Sequence, residues 1–180
     1  MAQHVFDELD GRIPLIVDAG PTSHGIESTI VAVRAGWIEV LRRGPISEEE
    51  LSTFGKIDIV TAPAKISAPG QSPTHYAPKT PLQLIDDAKS FLVPEKQRCA
   101  LLAWNPVERP ERFAAIRRLS EQQDLREAAA NLFRHLRELD ALEEVDLIVA
   151  ERVPDQGLGA AILDRLQRAS HRFDARDKPE

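Results

Sequence analysis

The chain has 180 residues, of which 42% are hydrophobic and 29% charged, with a formal net charge of −6. That length suits one domain or two small ones with a packed core. The acidic balance argues against a broad electrostatic footprint for nucleic acid, and the single cysteine, Cys99, leaves no disulfide framework and no cysteine metal site.

Residues Val5 to Leu9 read as the last turns of a helix that ends near Gly11, and Pro14-Leu15-Ile16-Val17-Asp18 reads as a buried-type strand. The polar turn Ser23-His24-Gly25-Ile26-Glu27-Ser28 then feeds the β-branched run Thr29-Ile30-Val31-Ala32-Val33. A strand is expected there, with Ser28 at its entrance. After a turn at Ala35-Gly36, the strand Trp37-Ile38-Glu39-Val40-Leu41 delivers Arg42 to its far end. Pairing of the two as a hairpin would bring Ser28 and Arg42 to one edge of a sheet. A hydroxyl and a guanidinium converging there suit a carboxylate or a phosphate, while the same pattern also describes a polar turn beside a surface arginine.

Ser47-Glu48-Glu49-Glu50 is a capping box that starts a short helix to about Phe54, closed by Gly55. From Pro63 to Pro81 the prolines at 63, 69, 73, 78 and 81 prevent regular ladders and read as a linker, with the aromatic, hydrogen-bonding pair His75-Tyr76 folded back over a site. Beyond it, apolar strands at Leu82 to Ile85, Cys99 to Ala103 and Leu147 to Ala150, and a shorter one near Arg118-Leu119, alternate with helices. This predicts an α/β layer with a mostly parallel sheet. The clearest helix runs from Leu125 to Leu139, where Leu125, Ala129, Leu132, Phe133 and Leu136 share one face. Cys99, within an apolar run, is expected in the core. Gly157-Leu158-Gly159, running into a last helix, reads as a structural turn, although its free N–H groups could also take an anion. The tail from His171 is polar and is expected to fray.

Ser28 lacks the flanking glycines of a nucleophile elbow, so no nucleophilic catalyst is assigned. The histidines at 4, 24, 75, 135 and 171 show no metal-ligand spacing, and no metal site is assigned. The first residues carry no basic and apolar leader, and no run reaches membrane-spanning length, so a cytoplasmic protein without membrane contact is expected.

Three stretches, Pro14-Leu15-Ile16-Val17-Asp18-Ala19-Gly20-Pro21, Gly25-Ile26-Glu27-Ser28-Thr29-Ile30-Val31 and Val40-Leu41-Arg42-Arg43-Gly44-Pro45-Ile46, closely resemble threonylcarbamoyl-AMP synthases, the YrdC-like translation and tRNA-modification factors. Ser67-Ala68-Pro69-Gly70 with His75-Tyr76-Ala77-Pro78 resembles the segment joining the two domains of the longer members. Ala150-Glu151-Arg152-Val153-Pro154 and Gly157-Leu158-Gly159 through Asp164-Arg165-Leu166 resemble their second domain. The resemblance implies the C-terminal part of a YrdC-like twisted-sheet α/β domain at 1–62, a proline-rich linker at 63–81, a small Rossmann-like parallel α/β domain at 82–172, and a tail at 173–180.

It further implies a nucleotidyltransferase that makes threonylcarbamoyl-AMP and pyrophosphate from L-threonine, bicarbonate or CO2, and ATP, with Mg2+ assisting, and whose link to tRNA is indirect. Ser28 would bind threonine, Arg42 and Tyr76 would bind ATP, and Thr29 and His75 would support them. The family's P-T-x-T-x-Y-G-L, K-x-R and S-x-N motifs are not found in the sequence, so a YrdC-like half supplied in trans, or self-association, is expected to complete the site. Two rival readings are a non-catalytic ATP- or threonine-binding module and an RNA-binding accessory domain using Arg134, Arg137, Arg165, Arg168 and Arg172.

Overall fold

The computed structural model describes residues 2–20, 22–60, 68–70 and 76–176, with the side chains of His4, Glu8 and 171–176 left aside. His75 and most of the expected linker lie outside the described residues. In chain order the elements are α1 (Ala2–Leu9), β1 (Ile30–Arg34), β2 (Trp37–Arg42), α2 (Glu48–Ser52), β3 (Lys56–Ile59), β4 (Leu82–Ile85), β5 (Cys99–Ala103), β6 (Ala115–Arg118), α3 (Leu125–Asp140), β7 (Leu147–Glu151) and α4 (Leu158–Arg176). The strands form two sheets, β1-β2-β3 and β4-β7-β5-β6.

The larger sheet is parallel at every pairing, and its central strands β5 and β7 are buried along their whole length, which explains their apolar runs, while the edge strands β4 and β6 are partly buried. Ala100, Leu102, Ile148 and Ala150 point to one side, against Leu132 and Leu136 of α3 and Ile162 and Leu166 of α4. Cys99, Leu101, Ala103, Leu147 and Val149 point to the other, where Phe113 and Ala88 from the connecting loops close the core. Connections that move across the sheet in opposite directions lie on opposite faces, as right-handed crossovers require. Burial pushes the Cys99 thiol pKa up, as suits a packing role.

At the C-terminal edge of this sheet, Glu151 is fully buried. One carboxylate oxygen accepts from Ala88 N at 2.7 Å, and the other accepts from Trp104 N and Asn105 N, each at 2.7 Å. The loops after β4 and β5 are thereby pinned to the end of β7. α3 begins at the N-cap Asp124, whose side chain accepts from Glu127 N, and it extends one residue past the expected Leu139. Its buried stripe is Ala128, Ala129, Leu132, Leu136 and Leu139, with Leu125 and Phe133 packed at the margin.

In the smaller sheet the hairpin forms as expected. β1 and β2 pair antiparallel, and Gly36 takes a left-handed turn at φ 94°. β3, which the sequence reading did not separate from its surroundings, adds parallel to β2 with Val40 opposite Ile59. Ser47 caps α2 through the expected reciprocal capping box with Glu50.

Three expectations change. Pro14 to Asp18 is irregular, with Leu15 74% and Val17 84% exposed. A strand needs a ladder partner, and among the described residues no strand lies beside this stretch. The strand expected near Arg118-Leu119 lies slightly upstream, at Ala115–Arg118. Helix α4 continues to Arg176, beyond the point where fraying was expected.

Candidate functional site

The hairpin ends in an irregularity that shapes the site. Ile30 pairs with Arg42 but Val31 pairs with Val40, so Leu41 is an extra residue on β2 that bends the strand end and re-aims Arg42. Its guanidinium then reaches three oxygens. Nε donates to Ser28 O at 3.0 Å, Nη2 to Ser28 Oγ at 3.2 Å, and Nη1 to Pro69 O at 3.2 Å. The convergence of Ser28 and Arg42 read from the hairpin is thus present, and Arg42 also gathers in the Ala68–Gly70 segment.

Two glycines permit this closeness. A Cβ on Gly44 would stand 2.3 Å from Thr29 N and 2.6 Å from Ser28 C, so only a glycine backbone can lie against the Ser28-Thr29 peptide. Gly70 has φ 86°, and a Cβ there would meet the Tyr76 hydroxyl at 2.7 Å and Arg42 Cδ at 3.1 Å. Thr29 is committed to the scaffold: its hydroxyl donates to Ile46 O at 2.9 Å and accepts from Ile46 N at 3.0 Å.

Tyr76 closes the corner. Its ring stacks on Phe133 of α3 at 5.4 Å, and the Arg165 guanidinium of α4 lies over it at 5.5 Å. Burial pushes the Tyr76 pKa up to about 12, with Arg165 drawing it down and the neighbouring Glu27 carboxylate raising it. Beside Tyr76 a groove of about 600 Å³, lined by Glu27, Tyr76, Pro78, Phe133, Leu136 and Arg137, is of a size that accepts a small molecule.

The sequence reading missed the pair behind this corner. Arg165 has a fully buried side chain and donates from Nη2 and Nε to Glu27 Oε2 at 3.1 and 3.3 Å. Burial alone would raise the Glu27 pKa. Its own backbone N–H and the Arg165 charge outweigh that and hold the carboxyl below its ordinary value. A signal was available: Arg165 lies three and four residues from Ile162, Ala161 and Ala169, on the apolar face of α4, where a charged side chain has to be paired. Of the arginines named for the rival RNA-binding reading, Arg165 is buried and Arg168 is bonded to Asp164 at 3.0 Å. The Gly157 turn likewise has a protein partner, because Gly157 N donates to Glu49 Oε1 at 3.3 Å.

A parallel α/β layer with a hairpin corner that offers a hydroxyl, a guanidinium and an aromatic wall defines an α/β protein whose sheet edge is chemically suited to small polar or anionic ligands. A profile of the family described as "Threonylcarbamoyl-AMP synthase, C-terminal domain" matches residues 46–171. The threonylcarbamoyl-AMP synthase of Bacillus subtilis (strain 168) is 34% identical over 94% of this chain and 52% of its own. That of Pyrococcus abyssi (strain GE5 / Orsay) is 31% identical over 94% of this chain and 53% of its own. The crystal structure of P. abyssi Sua5 complexed with L-threonine superposes with a TM-score of 0.76, at 27% identity, covering 94% of this chain and 53% of that one. The chain belongs to the threonylcarbamoyl-AMP synthase family. It spans about half the length of the curated relatives it matches.

Proposed function

We propose that the chain carries the threonine- and ATP-binding corner of an L-threonylcarbamoyladenylate synthase, which acts in tRNA threonylcarbamoyladenosine biosynthesis. The observation that carries the reading is the Arg42 fork, held against Ser28 Oγ and flanked by Tyr76. Ser28 takes the threonine, Arg42 and Tyr76 take the ATP, and Thr29 and His75 support them. Thr29 does so through the backbone of Ile46.

In the reaction, the threonine amine forms a bond to the carbon of CO2 with loss of a proton, or to that of bicarbonate with departure of water, and either route gives the carbamate. An oxygen of the resulting carbamate attacks the α-phosphorus of ATP, and pyrophosphate leaves with the electron pair of the broken P–O bond. Holding the amine, the carbamate and the phosphate in line accounts for most of the acceleration, so no protein nucleophile is called for. Among the described residues no group of three His, Cys, Asp or Glu side chains could hold a metal ion. Mg2+ would enter with the ATP phosphates.

The proposed organisation is a partial YrdC-like domain at 1–62, a proline-rich linker at 63–81, a Rossmann-like domain at 82–172 and a tail at 173–180. No helix among the described residues is long and apolar enough to cross a membrane, in keeping with a proposed cytoplasmic location. A second reading, a binding module that works with a YrdC-like half supplied in trans or with another copy, is favoured by the smaller sheet. There β1 is an edge among the described residues, and its Val33 is 78% exposed.

The test is threonine- and bicarbonate-dependent pyrophosphate release from ATP by the purified chain, with Arg42→Ala as control. Release that disappears in the variant supports the synthase reading. Release that persists in the variant overturns it. Release that appears only on adding a YrdC-like half supports the second reading.

A further inference from the structure

The loop that leads to Ser28 spends three consecutive residues on the four-stranded layer. Gly25 has φ 67° and lies directly on the α3 backbone: a Cβ there would stand 2.3 Å from Ala129 O and 2.4 Å from Ala130 Cα. Ile26 packs against the larger apolar core. Glu27 bonds to Arg165 of α4. Ser28, the next residue, is then held from the other side by Arg42.

Every side of the Arg165 guanidinium is in use. Nε and Nη2 face Glu27, Nη1 donates to Asp164 Oδ2 at 3.1 Å, and the flat face covers Tyr76. Apolar side chains of similar volume would fill such a space at equal or better stability, because burying a charge costs solvation. What the planar fork adds is direction: it fixes the angle and distance between α4, the loop and the tyrosine together.

We propose that Arg165 is a positioning residue for the threonine site, through which the four-stranded layer sets the placement of the Ser28 loop and of Tyr76. The role rests on the reading of Ser28 as a threonine contact. Adjacent Cα atoms are only about 3.8 Å apart, so displacing Glu27 displaces Ser28, and a shift of about an ångström at a substrate contact is enough to matter. The ion pair joins residues 138 positions apart in sequence, which makes the layer part of the site rather than an appendage to it.

The experiment is calorimetric titration of L-threonine into the full 180-residue chain and three variants, each first shown to be folded by circular dichroism. Arg165→Lys keeps the charge but loses the fork. Gly25→Ala leaves every charge in place but pushes the loop off α3. Arg34→Ala removes an exposed ion pair of the same hairpin and is the control. We expect Arg165→Lys and Gly25→Ala each to weaken threonine binding by about tenfold, with Arg34→Ala unchanged. Lowered melting temperatures with unchanged threonine affinity in both test variants would mean a purely structural role and overturn the proposal. Should Arg165→Lys fail to fold, Gly25→Ala decides alone. Wild-type chain that binds no threonine overturns the reading of Ser28 and this proposal with it, an outcome visible before any variant is compared.

Discussion

The two sheets handle their apolar residues in opposite ways. In β4-β7-β5-β6 both faces are covered, and Leu101, Leu102, Ile148 and Val149 are all fully buried. In β1-β2-β3 only the half toward α2 is closed: Ile38 and Val40 are buried, while Val31 and Val33, opposite them on the same face, are open to solvent. The larger sheet therefore has its stability within its own layers. The smaller one gains its order from what it is attached to, through Glu27, Gly25 and the Arg42 contacts. A site built at the edge of the less self-sufficient sheet is steadied by the more self-sufficient one.

The sharpest break in this contrast is Glu151→Ala. It strands two buried backbone N–H groups and a half-buried one, the buried ones at roughly 1 kcal/mol or more each, so a loss of about 2–3 kcal/mol in unfolding free energy is expected, read as a lower denaturant midpoint at constant m. A smaller value would mean that the loops after β4 and β5 close without the carboxylate. An intermediate effect is expected at the seam between the sheets, where Tyr76 is the sole tyrosine of the sequence and its ionisation can be followed by ultraviolet absorbance. The phenol should titrate near 12 instead of 10, and Glu27→Gln should bring it down by removing a negative neighbour. Because the folded value is the higher one, the contribution of this group to stability is full below pH 10 and is lost as the pH rises toward 12. Titration near 10 in the native chain would show an unburied ring. The smallest effect belongs to Val33→Ser. At this exposed position, stability should change by under about 0.5 kcal/mol, whereas a larger fall would mean that the open face is covered in solution, by another copy for example.

What the sequence discloses follows the range of the interaction. The hairpin at Ala35-Gly36, the capping box at Ser47 and the helix beginning at Leu125 depend on residues a few positions apart, and they stand as read. Pro14 to Asp18 has the composition of a strand, but pairing depends on a neighbour that its own composition does not reveal. β3 alternates polar and apolar residues but is only four residues long, too short a run to stand out without β2 alongside. The meeting of Ser28 with Arg42 could be derived from hairpin geometry, whereas that of Glu27 with Arg165 could not, since nothing local links positions so far apart. The RNA-binding reading would set Arg165 on an exposed helix face. Its spacing from Ala161, Ile162 and Ala169 pointed inward.

Glu151 also bears on what the four-stranded sheet can accept. In open parallel sheets, ligands settle outside the carboxyl ends of the strands, where neighbouring connections leave toward opposite faces and free N–H groups invite a phosphate. Here β7 leads to α4 on one face, while β4 and β5 lead to loops on the other, and the N–H groups between them are already turned to Glu151. The second anion-seeking position, at the start of α4, is turned to Glu49. The chain thus supplies its own carboxylates as resident tenants where a nucleotide would lodge, and an incoming phosphate would meet like charge at both addresses. At these two places, among the described residues, a layer that resembles a nucleotide-binding sheet has its backbone donors already engaged by the protein's own side chains.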